Sequence, residues 1–353
     1  MELEQWKNNI KDGNSDEKRQ AIRESELFDI SDIIDDLIAV LYEDNKALQE
    51  AVIDTLIQRN GDVVVNKLLP LLSEENASVR NAAIEVLEAI GKERVDLIGA
   101  YLDSEDKDVR LFVCDIIGKF GTEKALNYLE KALSDEEVNV RNSAVMGIAK
   151  VPMEKSVSLL ERVLEKEKDP WIRFSAIDAL TQIGLPSCKD VLKKALHEEK
   201  NEVVIKALLD GLLKFPGKDS MEDTLFVFES LLVKKFSDMF EIMVDLGVKV
   251  EEPLDEKVLL SLAVYLRAYI RYAEDRWNAY RAANLLAKLG SLGEEIAIEL
   301  LNQVREPMIV AALLECLREV GTEKAVSVLE RYLAEGDDKQ KEISQEALNR
   351  IKG

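Results

Sequence analysis

The sequence is poor in the residues that most enzymes use at their active sites. It has a single histidine, His197, in 353 residues, so Ser-His-Asp or Cys-His catalysis would have to use it, and no nucleophile motif accompanies it. His197 falls at the predicted end of a helix, where the helix dipole favours a solvated imidazole. Phosphate-binding glycine loops, dinucleotide-binding glycine motifs and paired cysteines at zinc spacing are missing as well. We therefore expect no catalytic residue, no metal site and no cofactor.

Cysteine is nearly absent, and its three copies, Cys114, Cys188 and Cys316, are odd in number and far apart. Cys114 and Cys316 occupy apolar helix positions, where a buried free thiol packs as a small hydrophobic side chain. The first residues lack the basic and apolar regions of a signal peptide, and no apolar run approaches the length of about 18 residues that a transmembrane helix needs. These absences predict a reducing, cytoplasmic setting and no membrane-spanning helix.

Basic residues are too few to balance the acidic ones. The 69 Asp and Glu outnumber the 47 Lys and Arg, which gives a formal net charge of −22. Binding to nucleic-acid phosphates or to an anionic membrane relies on clustered Lys and Arg. The composition therefore disfavours both nucleic acid and membrane as partners.

What the sequence does contain is a repeat. Aliphatic residues at one register recur 30 to 32 residues apart, followed by apolar residues at helical spacing and by Gly or Pro where the helix should end. These register positions are Leu48, Val79, Val109, Val140, Ile172 and Val204, and later Asn278, Ile309 and Gln340. Residues Gly121–Ala125 reappear unchanged as Gly321–Ala325. A helix pair repeated at this period predicts an all-α fold, a right-handed α-α superhelix of about eleven pairs.

The middle of the chain departs from this pattern. We predict regular repeats over residues 1–217, an irregular region over 218–274 and further repeats over 275–353, all in one continuous solenoid. Within the irregular region, a segment rich in Phe and Met includes Phe236 and Met239. The length of this part of the chain allows two degenerate repeats with one longer helix or loop.

The repeated sequence pattern resembles that of a known family. Val-Arg followed by an Ala-rich apolar helix and a Gly, at this period, resembles HEAT repeats, especially the short HEAT-like type first described in phycobilisome lyases. The resemblance covers nearly the whole chain except about residues 218–274. It implies a solenoid whose second helices line the concave face. It leaves the activity open, because relatives include scaffolds, adaptors, transport receptors and a few enzymes.

Two enzymatic branches of that family are excluded by residues that this chain lacks. Deoxyhypusine hydroxylases of this type bind two irons through several His-Glu pairs, and here His197-Glu198 is the one such pair in the sequence. DNA-alkylation-repeat glycosylases need a basic groove for the duplex, which an acidic chain does not offer. The lyase relatives have no short signature to test, so that alternative stays open.

Six residues after the register position, most repeats carry a carboxylate. The acidic column consists of Asp54, Glu85, Asp115, Met146, Asp178, Asp210, Asn284, Glu315 and Glu346. Neighbouring helices pack roughly 8–10 Å apart, which is too far for these carboxylates to share a metal ion. Two interpretations stay open: a solvated face of an acidic protein, or an anionic track for a basic peptide or protein surface.

An arginine follows the register position in four successive repeats. The members of this arginine row are Arg80, Arg110, Arg141 and Arg173. The resemblance to HEAT repeats implies that this residue braces neighbouring repeats through hydrogen bonds to acidic or carbonyl groups, a role that suits its planar fork. A ligand-binding row is the alternative. At the following position Phe174 and Leu111, together with Met146, could form a small apolar patch for a partner.

Aromatic residues make up 6% of the sequence, yet four of its eight Tyr and one of its three Trp fall between residues 265 and 281. The Tyr/Arg set consists of Tyr265, Arg267, Tyr269, Arg271, Tyr272, Arg276, Trp277, Tyr280 and Arg281. Part of it would form one stripe if a single helix continued through Glu274 and Asp275. Tyr, Trp and Arg dominate binding hot spots, but the same residues can pack internally through cation–π contacts. Partner binding and internal packing both stay open.

We predict from these features a non-catalytic scaffold or adaptor in the cytoplasm. It would bind a partner protein with a basic surface through its concave acidic face and the Tyr/Arg set. One alternative is a lyase-like or chaperone-type subunit of an enzyme that acts on a protein-bound group. Another is a structural solenoid that assembles with itself. The oligomeric state is left open.

Overall fold

The computed structural model describes residues 2–230, 237–272 and 275–353. Phe236 and Glu274 therefore lie outside the described residues, and Met239 is described by its backbone alone. Contacts within the chain divide it into two units, Met1–Cys188 and Lys189–Gly353.

Unit 1 is a stack of helix pairs joined by short loops. Its helices are α1 Leu3–Asp12, α2 Ser15–Glu24, α3 Ile30–Val40, α4 Lys46–Gln58, α5 Asp62–Leu68, α6 Ala77–Ile90, α7 Val95–Gly99, α8 Lys107–Lys119, α9 Glu123–Ala132, α10 Val138–Ile148, α11 Glu154–Lys166 and α12 Pro170–Ile183. The odd-numbered first helices pack on one another from α1 to α9, and the even-numbered second helices pack in series from α2 to α12. Each repeat therefore contributes one helix to each of two layers.

The remaining helices repeat the same plan. They are α13 Pro186–Glu198, α14 Glu202–Leu212, α15 Lys218–Ser230, α16 Ser237–Lys249, α17 Glu256–Tyr272, α18 Arg276–Leu285, α19 Ser291–Leu300, α20 Pro307–Val320, α21 Val326–Glu335 and α22 Asp338–Lys352. Within unit 2 the second helices α14, α16, α18, α20 and α22 pack in series. The predicted all-α helical-repeat fold is confirmed, with eleven pairs in the described part of the chain. Among the described helices, none is long and apolar enough to cross a membrane.

The register positions form the core of the second-helix layer. Leu48, Val79, Val109, Val140 and Ile172 are all buried in unit 1. Burying one such aliphatic side chain stabilises the fold by about 1.5–3 kcal/mol. Because this burial recurs in successive second helices of unit 1, the stack is stable although each repeat is small.

Two register positions in unit 2 are polar, and both side chains are nevertheless buried. Asn278 donates through Nδ2 to Oδ2 of Asp275 at 3.0 Å. Gln340 accepts through Oε1 from the backbone N–H of Asp337 at 3.3 Å. Each therefore bonds to the residue that caps its own helix, which satisfies the polar group in place of water.

Two glycines allow α8 and α10 to approach closely. A Cβ atom added to Gly118 would lie 3.0 Å from the Cα of Gly147, and one added to Gly147 would lie 2.8 Å from the Cα of Gly118. The second Cβ would also lie 3.0 Å from a methyl of Leu129. Since both first contacts are with backbone, a rotamer change cannot relieve them.

We expect Gly147→Ala to lower the free energy of unfolding by about 1–3 kcal/mol, because the added methyl forces α8 and α10 apart. Chemical denaturation at neutral pH would measure the change. Gly61→Ala is the matched control, since its Cβ would have its nearest neighbour 4.0 Å away and its φ of 167° is extended. If both substitutions lowered the free energy of unfolding equally, the close approach of α8 and α10 would not be the cause of the loss.

Candidate protein-binding surfaces

Most second helices of unit 1 begin at a fixed point because a side chain caps them; the exception is α10, which follows Glu137 without a side-chain cap. In unit 1 the cap residues Asn45, Asn76, Asp106 and Asp169 each accept a hydrogen bond from a backbone N–H in the first turn. A cap of this kind contributes typically about 1 kcal/mol. The common starting point brings equivalent residues of successive second helices to the same side of the layer.

The acidic column of unit 1 lies on the exposed side of the second helices. Asp54, Glu85, Asp115 and Asp178 are all exposed. Asp115 accepts a hydrogen bond from the hydroxyl of Ser143. Within the described part of unit 1, the other three carboxylates have no hydrogen-bond or ion-pair partner. The column therefore presents uncompensated negative charge.

In the first-helix layer of unit 1, several carboxylates form ion pairs with the next repeat. A basic side chain from the next repeat pairs with an acidic one in Lys67–Asp35 at 2.7 Å, Arg94–Asp62 at 2.9 Å, Lys124–Asp96 at 2.5 Å, Lys131–Asp103 at 2.5 Å and Arg162–Glu130 at 2.7 Å. The hydrogen bond from Lys124, followed by that from Tyr128, lowers the pKa of Asp96. The charges of this layer are largely neutralised within the chain, while those of the acidic column are not.

In unit 2 the column is less uniformly acidic. Partial burial raises the pKa of Asp210, with Lys206 opposing and Glu241 adding to the shift. Asn284 is exposed and Glu315 is half-buried. Glu346 accepts a hydrogen bond from Arg318 at 3.1 Å. The strongest uncompensated charge of the column therefore lies in unit 1.

The arginine row points into the loops rather than outward. Arg110 donates through Nε and Nη2 to both oxygens of Asp135, at 2.8 and 3.0 Å, and through Nη1 to the carbonyl of Ser104 at 2.9 Å. Ser104 belongs to the loop of its own repeat and Asp135 to the loop of the next. Arg110 thus joins two successive loops by a bidentate ion pair and a backbone hydrogen bond.

Arg141 repeats this geometry one repeat later. It donates through Nε to Oε2 of Glu167 at 2.7 Å and through Nη1 to the carbonyl of Asp135 at 2.9 Å. Arg80 donates to the carbonyl of Glu74 at 2.7 Å and lies over a phenylalanine ring of α8. Arg173 is half-buried at the equivalent position of α12. That the row stabilises the fold stays a prediction.

The carboxylate partners of the row had not been identified from sequence. Burial opposes ionisation of Asp135, but the hydrogen bonds from Arg110 and from the backbone N–H of Glu137 outweigh it and lower the pKa. The pKa of Glu167 is lowered in the same way, against burial, by Arg141 and two backbone N–H groups. Both carboxylates lie in the loop that precedes a second helix. This recurring position is the sequence feature from which the partners of the arginine row could have been predicted.

The Tyr/Arg set does not form one stripe. The helix α17 ends at Tyr272 and α18 begins at Arg276, with Asp275 capping the new helix through its side chain. The condition for a single stripe is therefore not met at Asp275, whose side chain caps the start of α18.

Several members of the set are turned towards neighbouring helices. Tyr269 stacks on Phe240 of α16 with ring centroids 3.7 Å apart, and Tyr265 lies 5.7 Å from the ring of Phe228 on α15. Arg281 pairs with Asp245 of α16. These three residues are half-buried, so they pack within unit 2.

The other members of the set lie at the surface. Arg267 pairs with Glu299 of α19 at 2.6 Å, and the guanidinium of Arg271 lies 5.0 Å from the ring centre of Tyr272. Tyr272 is 71% exposed, and Arg276 is exposed as well. This part of the set remains available for contact with a partner.

Exposed aromatic residues recur at one register of the second helices. In α12, Trp171 lies 6.5 Å from Phe174 between ring centroids. In α18, Trp277 stacks on Tyr280 at 5.5 Å, and a groove of about 400 Å³ lies beside this pair, with Met308 of α20 in its lining. Trp171 was missed from sequence, although it occupies the same place after its cap residue as Trp277 does.

The stacked helix pairs, with equivalent residues aligned from repeat to repeat, define a tandem helical-repeat protein. The sequence profile that describes HEAT repeats matches residues 3–88, 65–141 and 129–212. The chain belongs to the HEAT-repeat family. Helix pairs of the same kind continue beyond the matched residues as far as Lys352.

Curated relatives and solved structures show similar proteins. Bilin biosynthesis protein PecF of Nostoc sp. strain PCC 7120 is 27% identical over 157 residues, which cover 40% of this chain and 90% of that protein. An uncharacterized phycocyanin operon protein Z of Pseudanabaena tenuis is 28% identical over 154 residues, 40% of this chain and 75% of that protein. The karyopherin Kap121p, solved with the extreme C-terminus of the protein phosphatase Cdc14p, matches the fold with a TM-score of 0.51 at 9% identity, over 97% of this chain and 49% of that one.

We expect Asp135→Asn to cost about 3 kcal/mol of unfolding free energy at neutral pH, because it removes the buried, bidentate carboxylate partner of Arg110 and leaves the more distant and exposed Glu136 at 3.4 Å. The side chains of the pair are only 9% and 10% exposed. The folded pKa of Asp135 is lowered, so its contribution is complete above the unfolded value of about 4 and disappears as the pH falls through the folded value. Denaturant unfolding of both proteins across this range should show the difference narrowing in acid.

The control for this substitution is Asp103→Asn. Its partner Lys131 and the carboxylate itself are largely exposed, and an exposed pair contributes about 0–1 kcal/mol. A stability difference between wild type and Asp135→Asn that stays constant down to the lowest pH would contradict the assigned role of the ion pair.

Proposed function

We propose that this protein is a non-catalytic interaction protein that binds the basic surface of a partner protein with the second-helix layer of unit 1. The observation that carries the proposal is the contrast between its two layers. Five carboxylates of the first-helix layer have basic partners from the next repeat, as Glu88 of α6 has in Lys119 of α8, whereas Asp54, Glu85 and Asp178 have none in the described residues. A partner that supplied Lys and Arg would provide these unpaired carboxylates of the second-helix layer with ion pairs, as the chain itself does for the paired carboxylates of the first-helix layer.

The electrostatics of this surface favour a fast and salt-sensitive encounter. Exposed charge pairs contribute only about 0–1 kcal/mol each, but an array of one sign steers an oppositely charged partner and raises its association rate. The net charge of −22 opposes binding to nucleic-acid phosphates and to anionic lipid for the same reason. We place this activity in the cytoplasm, supported by three cysteines that are buried free thiols.

The exposed part of the Tyr/Arg set is a second proposed contact. Arg271, Tyr272, Arg276 and Trp277 combine large apolar area with cationic tips, a combination that is common at binding hot spots. Tyr265, Tyr269 and Arg281 would act indirectly, by holding α17 and α18 against their neighbours.

Affinity capture from native lysate would test the role of the acidic column with two charge-matched variants. The first carries Asp54→Asn, Glu85→Gln and Asp115→Asn; the second carries Asp35→Asn, Asp62→Asn and Asp103→Asn in the first-helix layer. We expect a partner that mass spectrometry finds with wild type and with the second variant to be lost from the first. Its capture by wild type should also weaken steeply as salt is raised.

Because both variants change the net charge equally, a general effect of charge would affect them alike. Retention of the same partner by the first variant would contradict the proposal. So would equal loss from both variants, since it would show that only the total charge matters.

A second candidate function rests on the relatives. Two of the similar curated proteins are named for bilin biosynthesis or for a phycocyanin operon, and the first is matched over 90% of its length. We infer as an alternative that the chain is an accessory subunit in handling a bilin for attachment to a protein. The groove beside Trp277 and Tyr280 supports this candidate, because an aromatic wall next to an open groove suits a planar ligand.

Titration with a free bilin would test this alternative. Binding beside Trp277 should change the visible absorption of the bilin and quench tryptophan emission, and Trp277→Ala should weaken both effects about tenfold, as loss of one stacking contact allows. Trp171→Ala is the control in the same register. No spectral change at micromolar protein would exclude this candidate and leave the first function untouched.

A further inference from the structure

An exposed aromatic stripe on α12 continues the acidic column. Trp171 and Phe174 are 75% and 42% exposed, and Asp178 follows them on the same helical face at i+7 and i+4. The side chain of Asp169 caps the helix and Pro170 occupies its first turn. The first turn that holds Trp171 is therefore well anchored, and the ring is nevertheless left to solvent.

The neighbouring helix extends this patch. Met146 of α10 is 44% exposed and occupies the register of Asp178, and α10 packs directly on α12. The other charged residues of the two helices are Arg141, which is committed to Glu167, and Arg173, which is half-buried. Asp178 is thus the one exposed charge that α10 and α12 contribute, and it stands beside three exposed apolar side chains.

Unit 2 shows what the same two positions hold when the chain supplies its own cation. In α14, Lys206 replaces Phe174 and Asp210 replaces Asp178 at the same spacing. The charge of Lys206 acts to lower the pKa of Asp210. In α12 an aromatic residue stands where α14 has the lysine, so Asp178 has an aromatic residue one helical turn away in place of a cation.

We propose that Phe174 and Asp178 bind an arginine side chain of a basic segment in the partner protein. Trp171 and Met146 would contact the apolar residues of the partner that flank this arginine. The assignment rests on the function proposed above and names the residue type that is recognised. A guanidinium can stack on a ring and donate two parallel hydrogen bonds to a carboxylate, whereas an ammonium is a compact, strongly hydrated point charge. Arginine therefore fits the ring and the carboxylate together better than lysine does.

The probe is a nine-residue peptide of alternating arginine and glycine, with its lysine counterpart for comparison. Labelled peptide and fluorescence anisotropy would give the affinities. We expect the arginine peptide to bind more tightly than the lysine peptide and to lose about tenfold in affinity with Trp171→Ala plus Phe174→Ala, in line with desolvated cation–π contacts. Asp178→Asn should cause a similar loss. Phe226→Ala, which removes an exposed aromatic ring on α15, should leave the affinity unchanged.

A stricter variant is Phe174→Lys, which copies the arrangement of α14. The new lysine would pair with Asp178 and close the site, so binding of the arginine peptide should be lost while the thermal midpoint stays the same. Trp6 is fully buried, so in a Trp277→Phe background the quenching of exposed tryptophan reports on Trp171. We expect the arginine peptide to protect it from acrylamide.

Several outcomes would overturn this inference. Equal affinity for the two peptides, or unchanged binding by Phe174→Lys, would remove the arginine site. Loss of self-association in the Trp171→Ala plus Phe174→Ala variant, seen by sedimentation, would show that a second copy covers the patch instead. If partner capture still depends on Asp54, Glu85 and Asp115, the function proposed above stands without the arginine site; if it does not, that function fails on its own test.

Discussion

The rest of the structure depends on where each second helix starts, and in most of the described second helices a capping hydrogen bond fixes that residue. Because a side chain such as that of Asn76 or Asp106 accepts a backbone N–H in the first turn, successive helices begin at equivalent residues. A helix that starts one residue later would turn by about 100° and carry its buried and exposed positions with it. The aliphatic core, the arginine row and the acidic column are aligned across the capped repeats for this reason, and α10 keeps the same register although Glu137 does not cap it.

The charged residues then divide into three roles according to where they lie. Loop carboxylates such as Asp135 hold the arginines that join successive repeats. Carboxylates of the first helices are paired across repeats near the surface, as in Lys67–Asp35. The carboxylates of the acidic column in unit 1 lack basic partners in the described residues. The unpaired charge of an acidic protein can therefore be concentrated in one column of residues, and the total charge says little about where a partner binds.

Sequence periodicity was sufficient to predict the repeats, the burial of Val109 and Val140, and the exposure of Asp115 and Asp178, because each follows from helix geometry alone. Pairing partners across loops could not be predicted in this way, since Asp135 reaches Arg110 only once the loop is folded. The helical spacing of part of the Tyr/Arg set left a single stripe open, and periodicity alone did not identify Asp275 as the cap that starts a new helix. Tyr269 packs inward because α16 lies beside it. The periodicity of a single helix gives no information about the position of a neighbouring helix.

The contact between Gly118 and Gly147 limits how this chain can be rebuilt. Repeat proteins are often treated as strings of interchangeable modules, in which any unit can be deleted, duplicated or moved. Here two adjacent repeats each omit a side chain in favour of the other's backbone. Either repeat placed next to a unit with an ordinary residue at that position would leave a gap or a clash. These two repeats therefore have to be kept together. Recombination that deletes or moves repeats would preserve the fold best if its breakpoints lay outside this pair.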